Sequence, residues 1–379
     1  MSGHRALKIF TVFLGVSAFL FSASLFGLTL QAAVITEVKG PVKIINQQGA
    51  SRAAVNGASV MGDEIVDTGK GGRAALVFDD GSKVELGPST RVKVNDMMLT
   101  GNTTVLLYLG RLFAHIIPAQ SAEHSYEVQT LTTTAGVRGT EFEVAAGMDG
   151  SSLVSVENGR VDVILEENEV SVQAGEEANI SYDGKVMKGR RGKRTDEEWQ
   201  NWFSTRQQYF IDHSGQVVDH LSRTIDRTRN RISDQDRKME VMKKQMGRAY
   251  EQGNLSYGQA RNIARKEIDS YMKSMTALAQ TDNKLMAVDY IISQAQEQIK
   301  QNPDAFNPEF KDKISTVRSI LNQMNVAEIH KQDKQILARH MVVIMKTAKK
   351  YELQDEVWRK LPPKTRKQLI QKAEQRKQR

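Results

Sequence analysis

The chain of 379 residues has no cysteine, only seven prolines, and an aromatic content of 6%. Without thiols there can be no disulfide, no Cys-ligated zinc or iron–sulfur centre, no thiol nucleophile and no lipidated N-terminal cysteine. The compartment stays open, because exported proteins need not use disulfides. Catalytic patterns are missing as well. There is no P-loop, no GxSxG elbow, no SxxK and no HExxH among the seven histidines His4, His115, His124, His213, His220, His330 and His340. His213 and His220 are seven residues apart on a predicted helix, outside the i, i+3 or i, i+4 spacing a metal would want, and read as solvated. Gly69–Gly72 and Asp79–Gly81 read as turns rather than phosphate or calcium loops, and Asp63, Glu64 and Asp67 as solvated acids on a β-surface. The sequence therefore predicts no enzyme, no catalytic residue, no metal and no cofactor.

What is present begins with an apolar run. Arg5 and Lys8 precede Ile9–Leu30, 22 residues without charge that close on Leu30-Gln31-Ala32-Ala33. Residues 1–33 read as a signal peptide or an uncleaved membrane anchor, cleavage being favoured. Either way, about eight residues stay inside and the rest is expected on the periplasmic or extracellular side of the envelope.

Charge divides the remainder. Residues 34–184 carry 11 Lys and Arg against 21 Asp and Glu, whereas residues 185–379 carry 40 against 24. The acidic part alternates Val, Ile, Leu and Thr with polar residues in short runs. Turn clusters such as Asn46–Gly49, Asp79–Ser82 and Glu157–Gly159 break these runs about every ten residues. That pattern predicts an all-β domain over 34–184, a sandwich, a roll or solenoid-like hairpins. A loose repeat of the form Gly-x-apolar-x-apolar starts at Gly40, Gly110 and Gly159. A basic linker is expected at 185–194. A long helical hairpin at 195–302 follows, and C-terminal helices with a basic tail occupy 303–379. Thr195–Glu198 and Ser256–Gln259 have capping-box form, and Asn307-Pro308 opens a further helix towards Lys350. Coiled-coil-like seams run through Ile211, Val218, Ile225, Ile232, Met239 and Met246, and through Ala264, Ile268, Tyr271, Met275, Leu278, Leu285 and Ile292. Thr228, Gln235, Asp282 and Asp289 interrupt these seams, which fit packing within one chain or self-association into a homo-oligomer.

Within the β-part, Thr132–Val144, "TTTAGVRGTEFEV", interrupts the alternation with Gly136, Arg138, Gly139 and Thr140 before Phe142 resumes it. Gly136 and Gly139 are expected where the chain turns between strands, Thr140 to bond nearby backbone, and Arg138 to pair with a carboxylate. This stretch, the opening Val38–Val42, the segment Gly57–Val94, the hairpin Leu99–Phe113, Val156–Val161 and Val172–Glu176 together resemble the FecR domain family over about residues 34–182. The resemblance implies the fold, an extracytoplasmic site and a protein-binding role. The family's best-understood members are single-pass regulators whose cytoplasmic segment controls a sigma factor and whose FecR domain contacts a receptor. The few residues before Ile9 make that direct route an expectation against, and residues 195–379 resemble no family.

The leading expectation is a non-enzymatic envelope protein, its β-domain an interaction module and its helices a spacer or oligomerisation element. The alternatives are an extracytoplasmic regulator in transport or sigma-factor signalling that acts through a partner, and a protein that binds or modifies an envelope polymer. Lys185–Arg194 and the tail Lys364–Arg379 are the segments suited to anionic lipid or polymer, and nucleic acid is not expected as a partner.

Overall fold

The structure, a computed structural model, describes residues 31–95, 103–118, 126–137, 139–165, 168–192, 194–249 and 256–360. Arg138, the N-terminal apolar run Ile9–Leu30 and the tail Lys364–Arg379 lie outside the described residues.

Among the described residues, seventeen strands are distributed over two sheets. The first half holds β1 (Gln31–Lys39), β2 (Val42–Ile45), β3 (Ser51–Ala53), β4 (Ser59–Met61), β5 (Ile65–Thr68), β6 (Arg73–Val77), β7 (Lys83–Leu86) and β8 (Arg91–Asn95). The long β9 (Thr103–His115) follows. The second half holds β10 (Tyr126–Gln129), β11 (Thr134–Val137), β12 (Glu141–Ala146), β13 (Ser152–Asn158), β14 (Arg160–Ile164), β15 (Glu169–Gln173), β16 (Glu176–Ile180) and β17 (Val186–Arg190). Pairing gives a first sheet in the order β4-β1-β6-β7-β9-β12-β13-β16-β17, antiparallel throughout. The second sheet runs β3-β2-β5-β8-β9-β10-β11-β14-β15, with β9 and β10 its one parallel pair among the described residues. Strand β9 belongs to both sheets and changes over at Gly110. The sheets close face to face on an apolar core that includes Ile35, Ile44, Val66, Leu76, Leu107, Leu112, Phe142, Val154 and Val163. Of the all-β architectures the sequence allowed, the sandwich is the one formed.

The repeat glycines mark its corners. Gly40, Gly110 and Gly159 all have positive φ, at 64°, 97° and 86°, and at each the chain passes from one sheet to the other. A Cβ on Gly110 would stand 2.4 Å from Thr90 Oγ1, so neither the backbone nor the space admits a side chain.

The helices are α1 (Asp196–Asp212), α2 (Ser214–Ala249), α3 (Tyr257–Gln301), α4 (Pro308–Met324), α5 (Val326–Lys350) and α6 (Gln354–Lys360). Both expected capping boxes form, and Asn307 accepts from the Phe310 N–H with Pro308 in the first turn. Two of the expected helices are broken. The first ends at His213, whose N–H donates to the Tyr209 carbonyl, and α2 starts at Ser214. The third breaks at Asn325, which adopts φ 52° and caps α5 by accepting from the Glu328 N–H. Asn tolerates that left-handed conformation better than most residues.

The helical region is not a free spacer. Beyond the start of α1 it forms a third layer on the outer face of the second sheet, where Leu106, Tyr108 and Leu131 share one core with Phe210, Val217, Leu221, Leu285, Val288 and Phe310. The seam of α3 is buried from Ala264 to Ile292, against α2 and the later helices of the same chain.

Candidate functional site

The signature residues build a corner, and its design appears twice. Gly139 has φ 64°, and a Cβ there would lie 2.6 Å from Pro118 Cγ. Thr140, 1% exposed, donates from Oγ1 to the Arg160 carbonyl at 3.1 Å, directly after the corner glycine Gly159. Fifty residues earlier, Ser89 has φ 51° and Thr90 Oγ1 donates to the Arg111 carbonyl at 3.1 Å, directly after Gly110. In each case a left-handed residue and a buried threonine clamp the next corner of the sandwich. The threonine bonds across the fold rather than locally, as the sequence had suggested. Phe142 is fully buried in the sandwich core. Gly136 differs from expectation. It sits inside β11, paired with Glu127 and Asp162, with a negative-φ backbone and room for a methyl group 3.8 Å from the Asp162 carbonyl.

On the outer face of the first sheet a shallow cleft of about 180 Å³ opens beside the start of α1. Ala75, Gly87 and Phe113 are among the residues lining it, and Lys39, Arg73, Glu85, Arg111 and Glu143 surround them. Asp196, in the first turn of α1, accepts from Arg73 at 2.6 Å and from Arg111 at 2.7 Å, and Arg111 also holds Glu143 at 3.0 Å. Hydrogen bonding from Arg73 holds the Asp196 carboxyl below its ordinary value. Burial raises Glu143 despite the Arg111 contact. The guanidinium groups of Arg111 and Arg194 stand over the Trp199 indole, 5.1 and 5.2 Å from its centroid, and the ring packs with Ala145 and Leu153. The chemistry of this cleft is ion pairing and cation–π contact, and it pins α1 to the sandwich.

A second polar constellation lies where the helices cover the second sheet. Asp63, at φ 66°, meets Lys93 at 3.7 Å and Lys334 of α5 at 2.9 Å. Burial opposes ionisation of Asp63, but Lys93 and Lys334 together hold its carboxyl below the ordinary value. Lys93 is 1% exposed. Asn283 of α3 donates to Gln129 at 2.9 Å, and Arg91 stands 4.1 Å over the Tyr290 ring. Glu64 pairs with Arg52 and Asp67 with Arg91, so the three acids read as solvated are all engaged in ion pairs. Of the histidines, His213 stacks on Tyr209 and His220 meets Tyr182 edge-on, while His330 of α5 bonds Asp282 of α3. Among the described residues no group of three or more acids and histidines could hold a metal ion.

The basic stretch 185–194 contributes strand β17 to the first sheet, beside β16. Lys185 meets Asp183 at 2.8 Å, Lys188 meets Glu176 at 2.7 Å, Arg191 meets Glu157 at 3.0 Å and Arg194 meets Glu177 at 2.8 Å. Much of the charge that suited this stretch to an anionic surface is thus neutralised by the acidic domain beside it.

Sequence reasoning missed Lys93, His330 and Asp333, because nothing local distinguishes them. The one available trace was Asp282, which breaks the α3 seam.

The family model described as FecR protein matches residues 64–162. Among curated proteins none matches. Two crystal structures of a proposed anti-sigma factor from Parabacteroides distasonis, at 1.65 and 2.50 Å resolution, are similar at 20% identity and a TM-score of 0.32. The similarity covers 36% of this chain and 64% or 63% of theirs, so this chain spans just under two thirds of their length. A likeness of that size carries no argument about function. The segment of the β-sandwich that matches the FecR family model, residues 64–162, includes both corner clamps, one at Ser89-Thr90 and Gly110, the other at Gly139-Thr140 and Gly159.

Proposed function

We propose that this chain is a non-enzymatic regulator that acts by binding a protein partner through its FecR domain, on the non-cytoplasmic side of a membrane. This is the signalling alternative of the sequence reading rather than the general envelope module that led it. The observation that carries it is the FecR match over 64–162. The helical layer strengthens it, because helices fused to the second sheet make the domain and its extension one body rather than a module on a spacer. A photo-crosslinker at Val55 or Met187, which are 61% and 72% exposed, tests the reading in intact cells. A single recurrent protein adduct, and a changed transcriptional or uptake response on deletion of the gene, are expected. Adducts scattered over abundant proteins, with no change on deletion, would sink it.

The same reading favours retention of the apolar run as an anchor over its cleavage. No described helix is long and apolar enough to cross a membrane, and the run Ile9–Leu30 lies outside the described residues. Strand β1 starts at Gln31. Ala32 and Ala33 are 4% and 0% exposed, Ala33 pairs with Val60, and Ser59 donates to the Gln31 side chain at 3.0 Å. A cut after Ala33 would remove these residues from the core. N-terminal sequencing of the protein from membranes should find residues 1–33 present, and a mature start at Val34 would overturn retention.

A further inference from the structure

The helical bundle is divided by a buried polar layer. On α2, apolar packing against the sandwich reaches Ile225 and resumes at Ile232 in a separate cluster, and Thr228 between them is buried. On α3, Leu278 belongs to the far cluster and Leu285 to the near one, with Thr281, Asp282 and Asn283 buried between. On α5, Ile329 packs on the near cluster and Ile336 on the far one, and His330 and Asp333 fall in the gap. Three helices therefore place polar side chains at one level. The far cluster, with Met239, Tyr271, Met275, Ile344 and Trp358, contains no residue of the sandwich.

This layer is incompletely satisfied. Asp282 Oδ1, Asp333 Oδ2 and the Tyr108 hydroxyl are buried without a hydrogen-bond partner, and an unpaired buried polar group works against the closed packing. A protein that needed only a rigid rod would fill this level with leucine, as a continuous seam does.

We propose that the polar layer at Asp282, His330 and Asp333 is a proton-operated joint between the sandwich-docked half of the bundle and its far lobe. A proton held in the layer keeps the lobe closed. A second charged carboxylate beside Asp282 loosens it.

The groups facing Asp333 come from every neighbouring element. Asp282 projects from α3 and Asp236 from α2, and His330, Lys334 and His340 lie on its own helix. His340 bonds Tyr271 of α3 and stands 3.8 Å from Asp236. Lys93, Asp63 and Tyr108 approach Asp282 and His330 from the second sheet. Burial, with Asp282 and Asp236 adding to it, pushes the Asp333 carboxyl up to about 7, from an ordinary 3.8. Burial and the charge of Lys93 lower His330, against its bond to Asp282. The proton at issue is therefore the one on Asp333. With its pKa raised in the closed form, closure is most favoured below the ordinary carboxylate value and is lost as pH rises through about 7.

Hydrogen exchange on the full-length chain, corrected for the intrinsic pH dependence of exchange, tests the joint. Between pH 6 and pH 8 the far-lobe segments 232–249, 257–278 and 336–353 should lose about tenfold in protection relative to the sandwich. Asp333→Asn should abolish that pH dependence and keep the lobe protected at pH 8. Asp282→Asn removes the neighbouring charge, and should move the midpoint to lower pH, which keeps the test decisive if Asp333→Asn does not fold. The proposal is overturned if the relative protection is flat across this range, if sandwich and lobe lose protection together, or if Asp333→Asn still shows the tenfold fall.

Discussion

The two halves of this molecule bury their surfaces by different rules. Between the sheets, the sandwich core is built from apolar side chains, and polar residues appear at its corners, where Thr90 and Thr140 are bonded. Within and beneath the helical layer, charged residues lie inside. Lys93, Asp282 and Asp333 are each at most 5% exposed, two of them with an unpartnered oxygen. An apolar core with satisfied corners has one good arrangement and gains from tight packing. A core crossed by half-satisfied carboxylates gives up stability and becomes sensitive to protonation. The sandwich is thus the fixed frame and the helical layer the adjustable part.

Substitutions can break or sharpen that contrast. The largest effect is expected in the sandwich. Phe142→Ala, at a fully buried position, should cost about 3–5 kcal/mol in denaturant unfolding. A loss below about 1 kcal/mol would mean that the core between the sheets is not the tight element described. The two signature glycines should then separate sharply. Gly139→Ala meets both a left-handed backbone and Pro118, and should cost about 1–3 kcal/mol, whereas Gly136→Ala should stay within about 0.5 kcal/mol. Equal costs at the two positions would refute the corner assignment.

In the helical layer the effect depends on pH. Asp333→Asn should raise stability by about 1–3 kcal/mol at pH 8, where the native carboxylate is ionised and unpaired. The gain should shrink as pH falls through about 7 and vanish below the ordinary carboxylate value, because the native residue then carries its own proton. Thermal melts from pH 4 to pH 8 follow it directly. A smaller gain is expected at the other corner. Ser89 holds the left-handed place that glycine fills at 139, so Ser89→Gly should stabilise the sandwich by about 1 kcal/mol, measured by urea titration. Least of all, Lys185→Ala removes an exposed pair with Asp183 and should leave the urea midpoint unchanged.

Much of the fold was legible because its signals are local. Alternating apolar residues and turn glycines gave most strands, and capping residues gave the starts of α1, α3 and α4. Short or one-sidedly charged strands were not legible. Strands β3 and β4 have three residues each, and β17 is a basic, largely exposed strand whose pairing depends on β16. Its Lys and Arg side chains look like a linker until the acids of β16 and the β13–β14 corner stand beside them. The corner clamp was half visible. The glycines stood out in the sequence, but the bond from Thr140 to residue 160 spans twenty positions.

Read without its fold, the chain already shows an acidic β-domain ahead of a basic helical region, no thiol chemistry, and at Thr132–Val144 a stretch that resembles the FecR family. Those properties follow from composition, periodicity and turn chemistry, which act over a few residues. Packing in three dimensions alone sets the helices back onto their own β-domain, buries Lys93, and brings Thr228, Asp282, His330 and Asp333 to one level. Lys93, His330 and Asp333 are unremarkable among their sequence neighbours, and Thr228 and Asp282 show there only as breaks in the seams. Their chemistry depends on desolvation and on charges brought close by elements far apart in the chain.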